Sequence, residues 1–302
     1  MKYNIVLFGI KSTTNEIIST FKNDIDLVVT LSDKSVEKYH ISGLDNVYDK
    51  ALEHDIECHR TNDYSLKTDI DFFENNSFDI GLVYGWQRII PQNILDKFKF
   101  GVYGFHGSPK FLPFGKGRSP MNWSLIKNYK EINNHLFKYN SKADDGEIYS
   151  ITKFEINEYD TIDSLIIKSM ITSKREFSKL IKDYRNNNIT LREQPVDVEE
   201  TFFDKRTPED GKINLFDSTQ DIYNLIRGVT KPFPGAFLFK NNSKVILWEA
   251  VPFDSILDFD GHKVGEIIKV MDNKFIMNLK DNTLLVKNYE CTGKLKEGDI
   301  LK

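Results

Sequence analysis

One histidine stands at the end of a short apolar segment, where a strand would give way to a loop. His106 closes residues 102–106 (VYGFH), and the loop after it is rich in glycine and proline (GSPKFLPFGKGRSP, residues 107–120). In open α/β sheets, ligands bind outside the carboxyl ends of the strands, so His106 lies where a general base or proton carrier would act. A histidine that merely caps the strand end fits the same position equally well.

Two adjacent carboxylates form the second candidate feature. Asp144 and Asp145 precede Gly146 in the segment KADDGEI (residues 142–148). Aspartate and glycine are ordinary turn residues. By itself, this segment therefore favours a solvated turn over a site.

The elements that must position these residues begin with a β-α-β pattern. Residues 3–9 (YNIVLFG) form a compact apolar run typical of a buried parallel strand. Thr13 and Glu16 match a capping box for a helix reaching about Lys22, and residues 27–31 (LVVTL) predict a second strand. This opening favours a Rossmann-like, doubly wound α/β domain.

The pattern changes towards the carboxyl-terminal part of the chain. Strand-like segments recur before residue 160, and a long amphipathic helix follows, for which Asp160 is the predicted cap. After residue 207, short strands and turns dominate. The prediction is a catalytic domain over residues 1–190, a linker over 191–206, and a small, mainly β, OB-like barrel over 207–302.

Taken together, two stretches resemble a known family. GFHGSPKFLPFGKGRSPMNWSLI and HLFKYNSKADDGEI resemble the formyltransferases that use N10-formyltetrahydrofolate. That family carries Asn-x-His at a strand end, then Leu-Pro, then a basic glycine-containing loop ending in proline, and an Asp-x-Gly turn about forty residues later. Here His106 and Asp144 are 38 positions apart. KRTPEDG and IRGVTKPFPGAF resemble the linker and second domain of methionyl-tRNA and two-domain sugar formyltransferases.

The resemblance implies a mechanism and a catalytic pair. The substrate amine would attack the formyl carbon of the folate, and a tetrahedral oxyanion would form. His106 would stabilise that charge and help to move the amine proton, while Asp144 would orient the imidazole and stabilise its charged form. The folate would be a co-substrate that supplies the activated carbon, and no metal is expected.

The sequence departs from the family at one important position. Gly104 stands where the family has the asparagine that helps to hold the formyl oxygen. Loss of one oxyanion donor costs about 10²–10³ in rate. Asn122 is one candidate replacement, and a backbone N–H or an ordered water is another. The glycine would also make room for a bulkier substrate.

By resemblance, the remaining site residues fall into two groups. The folate pocket is predicted around residues 84–90 and 140–145, although Tyr84 and Trp86 suit core packing better. Basic loop residues would meet phosphate groups of the substrate, with Arg118 as the best match, whereas Lys110 suits a solvated charge. Lys11 opens a helix whose N-terminus could hold an anion. The predicted cofactor-binding residues are Trp86, Gln87, Arg88, Ile89, Ile90, Lys142 and Asp145, and the predicted substrate-binding residues are Lys11, Gly104, Lys116 and Arg118.

Composition and charge help to choose among three functions. The net charge of −4 gives no global sign of a nucleic-acid partner, and residues 201–302 carry 15 basic and 15 acidic residues. Because tRNA binding predicts a basic second domain, we favour a nucleotide-linked amino sugar for a surface glycan such as lipopolysaccharide. Methionyl-tRNA stays open as the acceptor, as does a folate or nucleotide-sugar binding protein without activity.

Composition also bears on where the chain works. Two cysteines and no CxxC pair argue against a disulfide scaffold or a cysteine-based zinc site. No signal peptide or membrane span is expected, so a cytoplasmic enzyme is predicted. A homodimer is left open, since two-fold dimers are common among oligomers.

Overall fold

The computed structural model describes residues 1–38, 43–257, 259 and 261–302, and the chain divides into two units. The first unit comprises residues 1–117, 133–154 and 168–202. The second comprises residues 118–132, 155–167 and 203–302. Two segments from the middle of the chain thus group with the carboxyl-terminal part, and the domain boundaries at residues 190 and 207 stay a prediction.

A seven-stranded sheet organises the first unit. Its strands are β1 (Lys2–Phe8), β2 (Leu27–Leu31), β3 (Glu57–Thr61), β4 (Ser77–Val83), β5 (Phe98–Ser108), β7 (Glu131–Lys138) and β8 (Ile148–Glu155). The order across the sheet is β3-β2-β1-β4-β5-β7-β8. β1 to β5 run parallel, and β7 pairs antiparallel with β5. The short strand β6 (Lys116–Gly117) lies in the loop after β5.

Helices and apolar residues cover the sheet on both faces. The helices are α1 (Ser12–Phe21), α2 (Asp33–Lys38), α3 (Val47–Glu53), α4 (Ile70–Glu74), α5 (Gln92–Leu95) and α7 (Ile162–Arg185). One core cluster includes Phe8, Trp86 and Val102, and the other includes Leu7, Tyr103 and Phe177. Neighbouring residues on β1 and on β5 thus pack in opposite clusters, as expected for strands that are buried on both faces. The predicted doubly wound domain is confirmed.

Two predicted helix caps are wrong. Helix α1 starts at Ser12, because the Thr14 hydroxyl accepts a hydrogen bond from the Lys11 amide and donates to the Tyr84 carbonyl. Thr161, not Asp160, precedes the first residue of α7, and its hydroxyl accepts from the Ser164 amide at 3.4 Å. The interior of α1 is as predicted, with Ile17, Ile18 and Phe21 buried.

The strand order reverses between β1 and β4. From β1 the chain builds outwards through β2 and β3, and then returns to β4 and β5 on the other side. Such a switch point opens a crevice at the carboxyl ends of the two central strands, where ligands bind in open α/β sheets. Here the loops that border the crevice begin after Phe8 and after Val83. The predicted folate segment, residues 84–90, starts at this edge.

The second unit contains an antiparallel sheet. Its elements are α6 (Pro120–Ile126), η1 (Pro208–Gly211), α8 (Thr219–Val229), β10 (Ala236–Lys240), β11 (Ser243–Pro252), β12 (Ile267–Met271), β13 (Lys274–Asn278) and β14 (Thr283–Cys291); strand β9 (Phe202–Phe203) lies at the boundary. The order is β10-β11-β14-β13-β12. Lys302 exchanges two backbone hydrogen bonds with Phe239 on β10, and Leu301 donates to the Gly265 carbonyl next to β12. The last residues therefore connect the two edge strands, in line with the predicted small β-rich domain.

No helix within the described ranges is both long and apolar enough to cross a membrane.

Candidate active site

Strand β5 places His106 at a buried position, where its ring contacts two polar groups. The side chain is 6% exposed. Its Nδ1 lies 3.3 Å from Oδ1 of Asp144, and its Nε2 lies 2.7 Å from the Gly115 carbonyl oxygen. The structure thus brings together the two residues that were predicted to form the catalytic pair, and their catalytic roles stay a prediction.

This geometry determines the charge of the imidazole. Both ring nitrogens face acceptors, and only a doubly protonated ring can donate to both. Burial lowers the pKa of His106, but the charge and hydrogen bond of Asp144 and the Gly115 carbonyl outweigh it, so the pKa lies above its ordinary value. Burial raises the pKa of Asp144, yet His106 and the Gly117 amide bring it below its ordinary value. Both shifts therefore favour an imidazolium beside a carboxylate.

Asp144 owes its position to a tight turn. Its φ of +53° lies in the left-handed region, which aspartate and asparagine tolerate better than most residues. Oδ2 accepts a hydrogen bond from the Gly117 amide at 2.9 Å, and the Gln194 side chain donates to the carbonyls of Asp144 and Gly146. A Cβ at Gly146 would overlap the carbonyl oxygen of Lys138, so only glycine lets the turn lie this close to β7.

A second histidine supports the strand that carries the first. His135 on β7 lies directly opposite His106, and its Nδ1 is 3.2 Å from the His106 carbonyl oxygen. Its Nε2 accepts from the Leu112 amide at 3.2 Å. Burial, followed by the charge of His106, lowers the pKa of His135 to about 3. His135 is thus neutral, and it ties the loop after β5 to the sheet.

Lys116 anchors the same loop from the other side. Its side chain is 2% exposed, and its Nζ lies 2.6 Å from Asp145 Oδ1 and 2.7 Å from Glu200 Oε1. Asp145 also lies 3.9 Å from the exposed Lys142 ammonium. The carboxylates of Asp145 and Glu200 thus balance the charge of the buried Lys116 ammonium. Substrate binding by Lys116, and folate binding by Asp145 and Lys142, stay predictions.

The predicted folate segment follows β4, the strand beside β5. Trp86 is buried against the ring edge of Tyr64, at 4.9 Å between centroids, as the core-packing interpretation expected. Ile90 is also buried, whereas Gln87, Arg88 and Ile89 are exposed. Lys11 borders this segment, because a Cβ on Gly85 would lie 3.2 Å from Lys11 Cβ. The structure therefore gathers the segment and Lys11 at the switch point.

Two predicted site residues belong to the second unit. Asn122 is buried, and its side-chain amide donates to the Gly228 carbonyl at 2.8 Å. The Arg118 backbone amide donates to the Phe203 carbonyl. These bonds account for the local structure, and the roles of both side chains towards substrates stay predictions.

Sequence reasoning did not single out four residues that surround the pair. His135 and Tyr139 are the two ends of a segment that was predicted to be a strand, which gave only a weak signal for either residue. In the structure, Tyr139 follows β7 by one residue. Gln194 and Glu200 lie in the predicted linker, and nothing in their local sequence marks them. Within the described part of the chain, no group of three or more His, Cys, Asp and Glu side chains is placed to hold a metal ion.

Comparison of the sequence with known proteins points to one family. The model of the family described as "Formyl transferase" matches residues 8–179, and "Formyl transferase, C-terminal domain" matches residues 205–297. The bifunctional polymyxin resistance protein ArnA of Wigglesworthia glossinidia brevipalpis is 31% identical over 269 residues, which are 89% of this chain and 39% of ArnA. The chain thus spans less than half the length of that relative. The methionyl-tRNA formyltransferase of Finegoldia magna is 27% identical over 272 residues, covering 90% of this chain and 85% of that protein.

A solved structure shares the fold across nearly the whole chain. The N-formyltransferase of Helicobacter canadensis, in complex with folinic acid and dTDP-3-aminofucose, superposes with a TM-score of 0.67. The match covers 95% of this chain and 99% of that one at 17% identity. Family models, relatives and fold agree, and the chain therefore belongs to the formyl transferase family.

Proposed function

We propose that this enzyme transfers a formyl group from N10-formyltetrahydrofolate to the amine of a nucleotide-linked amino sugar. The observation that carries the proposal is the pair of the buried His106 and the partly buried Asp144, with Nδ1 and Oδ1 3.3 Å apart at the end of β5. The neighbouring strand leads directly into the predicted folate segment. Formyl transfer passes through an oxyanion, and a fixed positive charge in a dry site stabilises such a state strongly.

The segment after β4 offers groups that fit a pterin ring. Such a ring presents apolar faces and hydrogen-bonding edges, which suit an apolar slot bordered by a few polar groups. The indole N–H of Trp86 is buried, and no acceptor for it exists among the described residues. Ile89, three positions on, exposes 57% of its surface. A buried donor and an exposed apolar side chain within one short segment support a folate site here.

The charged state of His106 gives it two tasks in the reaction. Its positive charge would stabilise the oxyanion as the acceptor nitrogen bonds to the formyl carbon. As the bond from that carbon to N10 of the donor breaks, His106 would give a proton to N10 and then take one from the acceptor nitrogen. The imidazole therefore ends the cycle charged, as it began. For Nε2 to reach the substrate, a substrate oxygen would replace the Gly115 carbonyl.

Two features support an amino sugar as the acceptor. One solved structure that is similar over 95% of this chain is that of an N-formyltransferase in complex with dTDP-3-aminofucose, a nucleotide-linked amino sugar. The carboxyl-terminal segment carries equal numbers of acidic and basic residues, whereas a tRNA-binding domain gains affinity from basic residues that meet phosphates. Methionyl-tRNA is the second candidate, favoured by the 27% identity to the Finegoldia magna enzyme.

An acceptor panel tests the choice of substrate. The enzyme would be incubated with N10-formyltetrahydrofolate labelled in the formyl carbon and with amino-sugar nucleotides, methionyl-tRNA or uncharged tRNA. We expect label in an amino-sugar nucleotide and none in tRNA. The matched negative control is Asp144→Asn, which keeps the turn but removes the carboxylate. Label in methionyl-tRNA alone would reverse the choice, and folate binding without transfer to any acceptor would contradict the proposal.

A further inference from the structure

A tyrosine occupies the space beside Gly104 that a side chain there would need. A Cβ built on Gly104 would lie 2.7 Å from Cε1 and Cζ of Tyr139, and closer still to the Tyr139 hydroxyl oxygen. Tyr139 follows β7 and donates its backbone amide to the Val102 carbonyl at 2.7 Å. Its ring stacks on Phe137 with centroids 5.1 Å apart. The ring thus reaches diagonally across from β7 to β5.

The hydroxyl lies on the same face of the sheet as the catalytic imidazole. Gly104 and His106 are two positions apart on β5, so their side-chain positions point to one face, about 6.6 Å apart along the strand at 3.3 Å per residue. Val102 on the same face packs in the cluster that Tyr139 contacts. A substrate oxygen placed between the Tyr139 hydroxyl and the His106 imidazolium could lie about 3 Å from each of them.

The surroundings keep the phenol a hydrogen-bond donor. Burial and the nearby Asp144 carboxylate both raise the pKa of Tyr139, so the hydroxyl retains its proton at neutral pH. Among the described residues, no protein group forms a hydrogen bond with this hydroxyl. The Tyr139 side chain is partly buried, so a substrate or water can reach the hydroxyl and satisfy it. The donor is therefore free to serve a substrate.

We propose that the Tyr139 hydroxyl donates a hydrogen bond to the formyl oxygen, and that Gly104 is required to admit the tyrosine ring. This inference rests on the proposed formyl transfer and adds a catalytic residue to it. As the acceptor attacks, the π electrons of the formyl C=O move to its oxygen, which His106 and Tyr139 then stabilise from two sides. The same oxyanion forms when water is the attacking group, so the acceptor need not be known to test the role.

The test measures formate release from N10-formyltetrahydrofolate without an acceptor, and transfer to any acceptor that the panel identifies. Tyr139→Phe removes one oxygen and should lower kcat about 10²–10³-fold, as loss of one oxyanion donor does, with a small change in the KM of the donor. Tyr103→Phe is the matched control, because its hydroxyl donates to the Phe100 carbonyl and its ring lies in the opposite core cluster. This control should keep kcat within about twofold of the wild-type value. A hydrogen bond within the protein that is equally strong in the ground state and the transition state does not favour the transition state.

A reciprocal pair of variants tests the shared space. Gly104→Asn alone should lose activity because its Cβ overlaps the Tyr139 ring. Combined with Tyr139→Ala, the asparagine gains room and can offer its amide, so the double variant should exceed Tyr139→Ala in kcat by at least about tenfold. An unchanged kcat in Tyr139→Phe, or no such gain in the double variant, would overturn the inference.

One further variant separates this inference from the proposed function. If His106→Ala loses activity while Tyr139→Phe stays fully active, only the role of Tyr139 is overturned. If His106→Ala releases formate at the wild-type rate, the proposed site itself fails. Circular dichroism of each variant shows that the fold is retained.

Discussion

Replacing His106 with alanine is expected to lower kcat for formyl transfer by at least about 10³-fold, because the variant loses both oxyanion stabilisation and proton transfer. The ring nitrogens of His106 face Asp144 and Gly115, so alanine removes the cation at the end of β5 and leaves the partly buried Asp144 carboxylate without it. Initial rates with labelled donor measure the effect. His106→Gln is a second variant that keeps an amide donor but cannot carry a proton, and it should remain strongly impaired.

The first unit offers a matched control for this variant. His59 on β3 forms an equivalent pair with Asp69, at 2.7 Å from Nε2 to Oδ1, at the far edge of the sheet. His59→Ala should reduce the free energy of unfolding by about 1–3 kcal/mol, as His106→Ala should, while kcat stays near the wild-type value. Equal loss of kcat in both variants would show that a damaged fold, and not missing chemistry, explains the result.

Asp144→Asn is expected to lower kcat by about 10²–10⁴-fold, within the range that proton-transfer groups contribute. Asparagine tolerates the left-handed backbone that Asp144 adopts at φ +53°, so the turn should persist. Without the carboxylate, burial dominates the pKa of His106 and brings it below the ordinary 6.5, so the imidazole is neutral at pH 7. Asp69→Asn is the corresponding control and should leave kcat unchanged.

The pH dependence of kcat should show that His106 acts in its charged form. The pKa of His106 is raised in the folded enzyme, so kcat should fall as pH rises through a value above 6.5, and Asp144→Asn should move that limb to lower pH. For stability, the ion pair should contribute fully between pH 3.8 and 6.5. Its contribution is lost as pH rises through the raised pKa of His106 or falls through the lowered pKa of Asp144. An identical pH profile in both enzymes would contradict the account.

The sequence predicted the fold well where its patterns are local. Apolar runs located β1 and β2, and the amphipathic spacing of α1 identified Ile17, Ile18 and Phe21 as its buried face. The predicted cap of α7 was wrong by one residue, although its actual cap is a local contact between Thr161 and Ser164. The cap of α1 depends in part on a distant partner, because the Thr14 hydroxyl donates to the carbonyl of Tyr84, 70 positions away.

The approach of His106 to Asp144 followed from motif spacing and family resemblance, but their supports did not. Gln194 holds the turn from 50 positions away, and Glu200 reaches Lys116 across 84. Neither has a local sequence signal. The sequence shows that Gly104 replaces the asparagine of the family. Only the packing of β5 against the end of β7 shows that the Tyr139 ring fills the space which that side chain would need.

The protonation state of His106 at pH 7 tests the central claim most directly, since it requires neither donor nor acceptor. In a ¹⁵N NMR titration of histidine-labelled enzyme, assigned with His106→Gln, both ring nitrogens of His106 should carry protons at pH 7. They should titrate above 6.5 in the wild type and below it in Asp144→Asn. A neutral His106 at pH 7 in the wild type, with a titration that Asp144→Asn leaves unmoved, would contradict an imidazolium held by Asp144.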